Sequence, residues 1–297
     1  MDLKALYQRF RAWQKDPFKY KKPDGISRRC ANCGTTFEGA YCPVCGQKAS
    51  VGPVDWKSVD KELKSLLKFK DPGGLLPFVF QLFGRTGYMI GDYIQGRRKV
   101  CDSPVGKLCV IAAAALVVQE FTGNSAPEDP VTIGGMFGFL EKGLRWLSNN
   151  LSWAIIIQTA LLVVPTWMLF RHSPRHTGHS LPQGIYIQVF MGCLVLFVVM
   201  LRYLLGNWVL IFIPLFYFFA YYRLFGYGIW GTLWRTVLSI GSVFYLFGVL
   251  MWAGKYLLGD TPPVQSTGWA VAIVAALLLA GVGLLFLGSW IDKRTAR

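Results

Sequence analysis

The sequence predicts an all-α polytopic membrane protein of about six transmembrane helices, preceded by a small four-cysteine module and amphipathic surface helices. Three observations carry this. From about residue 105 onward the chain is mostly long apolar runs. Residues 30–46 read CANCGTTFEGAYCPVCG, which holds two Cys-x-x-Cys pairs, Cys30/Cys33 and Cys42/Cys45, each followed by a glycine. Positive charge is uneven: about two thirds of the Lys and Arg residues stand before residue 108. The 297 residues are 53% hydrophobic with a mean hydropathy of +0.39, too apolar for an ordinary soluble domain. The net charge of +15 therefore belongs mainly to a water-facing N-terminal part.

Four regions follow: a basic helix and linker at 1–29, the cysteine module at 30–47, amphipathic or interfacial helices at 48–104, and the helical bundle at 105–297. The opening MDLKALYQRFRAWQKD carries charges and no uninterrupted apolar stretch, so it does not read as a secretory signal peptide. The first span is expected to act as its own insertion signal. Leu3, Leu6, Phe10 and Trp13 fall at helical spacing between basic residues, the pattern of a helix lying on an anionic leaflet or docking on a neighbour. KDPFKYKKPDGISRR then reads as a linker.

Residues 55–70 place Trp56, Val59, Leu63, Leu66 and Leu67 on one face and lysines on the others, a second basic amphipathic helix. DPGG at 71–74 breaks it. Residues 75–95 are apolar but carry Arg85, Asp92 and three glycines, and are expected to form an interfacial or re-entrant helix. GRRKVCDSP ends at Pro104, well placed to open the next helix. Arg97, Arg98 and Lys99 make this a basic turn that faces lipid phosphates.

A span needs about 20 apolar residues. The expected spans are 105–121, 151–170, 184–204, 208–222, 235–257 and 268–291. Six spans put both termini on one side. That side carries the basic N-terminal segment, Arg171, Arg175, Arg223, Arg235 and the tail Lys293, Arg294 and Arg297. The other carries Glu128, Asp129, the Gly206-Asn207 turn and Asp260. The positive-inside bias makes the first side cytoplasmic. Residues 134–148 have the spacing of a helix lying on the outer surface. No internal repeat is evident, so an inverted-repeat transporter is not indicated.

Two Cys-x-x-Cys pairs eight residues apart give four thiolates that can close a tetrahedron around zinc. Gly34 and Gly46 let the chain turn back beneath the sulfurs, and Pro43 stiffens the second pair. Four cysteine ligands leave no position for water, so the site is expected to be structural. Rubredoxin-like iron uses the same ligands, and the sequence does not separate the two metals. In a cytoplasmic segment such pairs favour metal over disulfides.

The run CANCGTTFEGAYCPVCGQ, then an amphipathic helix, then a segment ending YIQGRRKVCDSPVGKL resembles the layout of a broad family of uncharacterised bacterial membrane proteins. Its members carry an N-terminal zinc ribbon and a domain of unknown function. The resemblance covers about residues 30–110, and the later spans match only in kind. It implies a bacterial inner membrane, Cys30, Cys33, Cys42 and Cys45 as metal ligands, and Gly96-Arg97-Arg98 as the basic turn before the first span. Some members have histidines in the membrane region. This chain has none there, so no role for them carries over, and the family implies no activity.

His172, His176 and His179 are the only histidines, all in RHSPRHTGHS between the second and third spans. Their spacing would align them on a helix as a second polar site. Pro174 and Gly178 instead favour a solvated basic loop. Glu120 and Arg202, near the ends of the first and third spans, form a candidate intramembrane pair, because charge at that depth is costly unless paired or wet. Gln158 is expected to bond a neighbouring helix in preference to lining a cavity. Ala272, Ala276, Ala280, Gly283, Gly241 and Gly248 suggest close helix packing. Cys101, Cys109 and Cys193 read as small apolar residues, with Cys101 also an acylation site.

No nucleophile–base pairing and no Walker-type loop occur in the sequence. Tethered to a membrane, the basic segment is expected to meet anionic lipid headgroups and no nucleic acid. The leading expectation is a non-enzymatic bacterial inner-membrane protein that docks a cytoplasmic protein partner or the leaflet. The alternative is a channel or transporter. A lipid-modifying enzyme using Asp92, His172 and His176 is the third.

Overall fold

The computed structural model describes residues 4–5, 7–8, 25–66, 74–98, 101, 103–122, 151–258 and 267–295. The expected surface helices at 1–15 and 134–148, and Lys99 of the basic turn, lie outside these residues or nearly so. The chain divides into two compact units, Met1–Gly52 and Pro53–Arg297.

The first unit holds an antiparallel pair of strands, β1 (Ser27–Arg29) and β2 (Thr36–Glu38), with Arg28 opposite Phe37. A two-residue bridge, Tyr41 to Lys48, closes the second half. Its small core is Cys30, Phe37 and Cys42.

The second unit is helical: α1 (Trp56–Leu66), α2 (Leu75–Gly84), α3 (Thr86–Ile94), α4 (Pro104–Thr122), α5 (Leu151–Leu161), α6 (Val163–Phe170), α7 (Leu181–Leu205), a 3-10 turn (Asn207–Ile211), α8 (Phe212–Phe225), α9 (Ile229–Leu258) and α10 (Thr267–Thr295). Among the described residues five helical stretches are long and apolar enough to cross a membrane: Pro104–Thr122, Trp153–Phe170, Leu181–Leu205, Asn207–Phe225 and Ala272–Arg294. The remaining expected span lies in α9, a continuous 30-residue helix.

α7 is the central post. It is apolar all round, and a helix without a polar face is one that the rest of the fold surrounds. It packs against α4, α5, α6 and α3. Its start is fixed by Ser180, whose N–H donates to Gln183 Oε1 at 2.9 Å, and by Pro182 in the first turn. Its end is fixed by Gly206, at φ 98. The second span is broken between α5 and α6 because Pro165 has no N–H to give to Leu161. The bonds on either side, Leu162 N to Gln158 O and Thr166 N to Leu162 O, survive.

Residues 75–95 form two short helices that hinge at Arg85. At 10 and 9 residues they are about 15 Å long each, half of what a span requires. They are part of the bundle core: Phe78 stacks on Phe190, Tyr93 meets Tyr186 and Phe190, and Phe83 lies edge-on to Phe197 and Phe216. α3 also packs on α8, where Gly87 makes the closest approach. A Cβ there would come within 2.5 Å of the Ala220 carbonyl oxygen and 2.8 Å of Leu224 N, both backbone atoms that cannot step aside. Gly87→Ala should therefore lower stability by about 1–3 kcal/mol. Gly84→Ala, with no atom within 4 Å, should be near neutral. Thermal unfolding of both variants in detergent checks this, and equal melting points would refute the close approach.

The glycines expected to pack helices closely do not. Gly241, Gly248 and Gly283 meet nothing within 4 Å, and Ala272, Ala276 and Ala280 are exposed. The close contacts fall at neighbouring glycines on other faces of the helix, Gly281 against Tyr245 and Gly288 against Leu169 and Leu238. Spacing showed that small residues lie on α10, but not which way the helix turns.

Candidate metal centre and buried polar clusters

The two cysteine pairs fold into matching hairpin knuckles. In the first, Gly34 N donates to Cys30 O at 2.9 Å and Cys30 N to Thr35 O at 2.9 Å. In the second, Gly46 N donates to Cys42 O at 2.8 Å and Cys42 N to Gln47 O at 2.9 Å. Gly34 and Gly46 hold φ values of 77 and 71, the left-handed turn that glycine adopts without steric cost. The repetition brings all four sulfurs within 4.8 Å of one another, with Cys30–Cys45 and Cys33–Cys42 at 3.5 Å. A tetrahedron with metal–sulfur bonds of about 2.3 Å has edges of about 3.8 Å, so the cage fits one ion. At 3.5 Å the sulfurs are separate thiols, well beyond a disulfide bond of about 2.05 Å. Thr35 Oγ1, 3.2 Å from Cys33 Sγ, draws that thiol down to about 6, toward the thiolate that a metal requires. These four cysteines could hold a metal ion, and the sequence placed all of them.

The basic turn is more engaged than expected. Arg97 pairs with Asp92 at 3.2 Å, and Asp92 also meets Arg85 at 3.3 Å. Arg98, read as lipid-facing, turns back to donate to Ser58 Oγ at 3.1 Å and lies over the Tyr93 ring. A guanidinium beside an aromatic face and an open hydroxyl packs inward more readily than it extends into solvent. Other arginines of this end close helix termini. Arg175 donates to Arg223 O at 2.6 Å, and Arg223 donates to Gly84 O at 3.4 Å.

The three histidines diverge, which corrects the solvated-loop reading. Residues 171–180 are not helical, as Pro174 and Gly178 required; Arg171 and Arg175 are exposed, while Ser173 and His179 turn into the bundle. His172 Nδ1 lies 3.0 Å from Asp292 Oδ2. His176 is half-buried against Gly91. His179 is buried beside Phe225, and among the described residues neither ring nitrogen lies in good hydrogen-bond geometry to a partner. Among the described residues only the four cysteines form a group able to hold a metal, so the histidines make no second site there.

Burial pushes His179 down to about 4 from an ordinary value of 6.5. The unfolded chain then binds a proton between about pH 6.5 and 4 that the folded chain refuses, so stability falls as pH drops through that window. The contribution amounts to about 3 kcal/mol at its lower end. Unfolding of wild type and His179→Leu at both pH values checks this: the variant should lose about that much of the pH dependence.

Glu120 and Arg202 do not pair. Arg202 Nε donates to Asn207 Oδ1 at 2.6 Å, and no ion pair joins it to Glu120 among the described residues. The tight turn at Gly206 brings Asn207 back beneath the guanidinium, and a local partner wins over a distant one. Gln158, expected to bond a neighbouring helix, lines a cavity of about 640 Å³ together with Arg202 and Asn207. Cys101 is buried, with Lys107 Nζ 3.6 Å from its sulfur, so it offers no accessible acylation site.

Three buried polar clusters escaped sequence reasoning. The first centres on Asp292, which is 0% exposed. It accepts from Arg235 Nε at 3.0 Å, Arg235 Nη2 at 2.9 Å, His172 N at 3.1 Å and the Tyr227 hydroxyl. Arg235, read as a loop charge, lies inside α9, stacked on Tyr227 and Trp234. The second centres on Glu62, buried on α1 in place of the expected Trp56, which is exposed. Glu62 Oε1 accepts from Ser103 Oγ at 2.8 Å and Val105 N at 3.1 Å, while Oε2 takes the Tyr186 hydroxyl at 2.5 Å. It thus caps the start of α4, where a carboxylate is favoured by the helix dipole. The third is Gln188, in the middle of α7, donating to Thr166 Oγ1 at 2.9 Å and the Tyr221 hydroxyl at 2.8 Å. Each had a faint signal: a lone acid in the basic end IDKR, an acid at Val59 plus three, and an amide amid apolar residues.

No protein-family model, curated protein or solved structure matches the chain. The functional reading therefore rests on these sites.

Proposed function

We propose that this is a non-enzymatic protein of a bacterial inner membrane, spanning it six times with both termini in the cytoplasm. A structural zinc ion sits in the cysteine cage, and the ribbon with the basic segments docks a cytoplasmic protein partner or the anionic leaflet while the bundle anchors it. One observation carries this reading: a closed four-sulfur cage, in a compact unit of its own, is joined in one chain to a set of span-length apolar helices. A cage with four protein ligands has no coordination position for substrate, so its contribution is a rigid recognition surface. The excess of Lys and Arg on the N-terminal side supports the orientation.

The transport alternative draws on a different observation, the cavity that collects Gln158 and Arg202. Lipid chemistry draws less support. Asp92 is clamped between Arg85 and Arg97, and His172 is held by Asp292.

Native mass spectrometry of the protein, gently extracted from its own membrane, tests the proposal. One zinc and a stoichiometric protein partner are the expected result. Zinc with a retained small molecule and no partner would shift the assignment to transport. Absence of metal, with the four cysteines oxidised, would overturn the ribbon and the cytoplasmic placement together.

A further inference from the structure

The cavity at the Gly206 end of the bundle has an unusual distribution of polarity. It measures about 640 Å³, within the range of about 300–1,000 Å³ that ligand sites occupy. Its walls come from α5, α7, α8, α9 and the 3-10 turn, and they are mostly apolar, with Leu162, Val199 and Ile213 among them. Among the described residues Arg202 is the one charged side chain lining it. Asn207 holds the guanidinium through Nε alone, and among the described residues no protein group bonds the two terminal amino groups. The Gln158 amide beside it likewise has no partner among them. The site is therefore a single oriented cation and an amide at the end of a span, above an apolar interior.

Around the cavity mouth the surface is apolar. Trp208, Ile211 and Phe244 are each more than 60% exposed, a surface that lipid solvates and water does not. An occupant arriving through that surface is itself an amphiphile. Its polar end must suit a guanidinium with two free N–H edges, which is the geometry that grips a phosphate bidentately. Among the described residues no carboxylate lines the cavity to balance a cationic headgroup.

We infer that this cavity is a binding site for an anionic phospholipid, with the phosphate on Arg202 and Gln158 and an acyl chain along Leu162, Val199 and Ile213. The inference rests on the bundle's lying in a membrane and is independent of what the cysteine cage docks.

The test uses the full chain in nanodiscs containing phosphatidylglycerol and phosphatidylcholine with identical acyl chains. The lipid retained after delipidation is then measured by native mass spectrometry. Both headgroups offer the phosphate, but choline adds a second cation beside Arg202, so wild type should retain phosphatidylglycerol in preference to phosphatidylcholine by at least about tenfold. Arg202→Gln should abolish the preference, Arg202→Lys should keep part of it, and Ile213→Trp should displace lipid of both kinds. Arg97→Gln, at the opposite end, should retain phosphatidylglycerol as wild type does. Equal retention of the two lipids by wild type, or unchanged retention by Arg202→Gln, would overturn the site. Release of the bound lipid by millimolar inorganic phosphate would overturn the lipid assignment in favour of a site for the free ion. If Arg202→Gln does not fold, the wild-type ratio and Ile213→Trp decide the question alone. Loss of the preference leaves the docking proposal standing, and loss of zinc leaves this one standing.

Discussion

Cys42→Ser is expected to empty the cysteine cage and unfold the module around it. Cys42 is buried in the core of its unit and anchors the second knuckle through its backbone as well as its sulfur. With so small an apolar core, the unit is expected to depend on the ion that the cage could hold: apparent binding free energies of about 10–16 kcal/mol are typical where metal and fold form together. A serine hydroxyl is a poor replacement for a thiolate, and three remaining sulfurs cannot close the tetrahedron. Metal content should fall from one ion per chain to none, and the segment from Ser27 to Ala49 should become sensitive to protease. Helicity should largely hold, because α1 to α10 belong to the other unit. Cys109→Ser, in the other unit, should keep the full metal content. Elemental analysis of the wild type also separates zinc from iron. An ion retained by Cys42→Ser would refute the four-sulfur site.

The second large effect lies at Asp292. Asp292→Ala should destabilise the bundle by about 3–5 kcal/mol, because it leaves the buried Arg235 guanidinium without its counter-charge. The two side chains are 0% and 2% exposed, so water cannot replace the lost partner. Arg235→Met should cost a comparable amount by taking the guanidinium away from a buried carboxylate that also meets His172 and Tyr227. Arg235→Met combined with Asp292→Leu should recover most of the loss, since removing both charges also removes both desolvation penalties. Unfolding of wild type, Arg235→Met, Asp292→Leu and the double variant in one detergent gives the cycle. Additive single effects would mean that the pair does not couple α9 to α10.

The location of this pair shows where sequence reasoning reached its limit. The charges of Arg235 and Asp292 were visible, but both lie near helix ends at an expected membrane face, where a charge ordinarily reaches water by extending its side chain. Only the approach of α9, α10 and the 171–180 loop seals them from it. The same holds for Glu62. Its spacing from Val59 put it beside the apolar face of α1, but the reason a carboxylate is buried there is the start of α4, about forty residues on. Arg202 failed in the other direction. Span ends suggested a long-range partner in Glu120, while a sharp turn supplied a local one in Asn207.

The sequence by itself determined what depends on composition and short-range spacing. That includes the helical character of the chain with its span-length apolar stretches, the start of α4 at Pro104 and the four cysteines of the cage. In each case the residues that make the feature are neighbours, and hydrophobicity, proline geometry or a glycine turn acts over a few positions. The tertiary structure alone decided which polar groups are buried, which glycines touch, and that Gln158 and Arg202 share one cavity. Those outcomes depend on how far each helix is rotated about its axis. Nearly uniform apolar helices such as α7 and α10 carry no amphipathic stripe to set that rotation, and it is fixed instead by the packing of the neighbours around them.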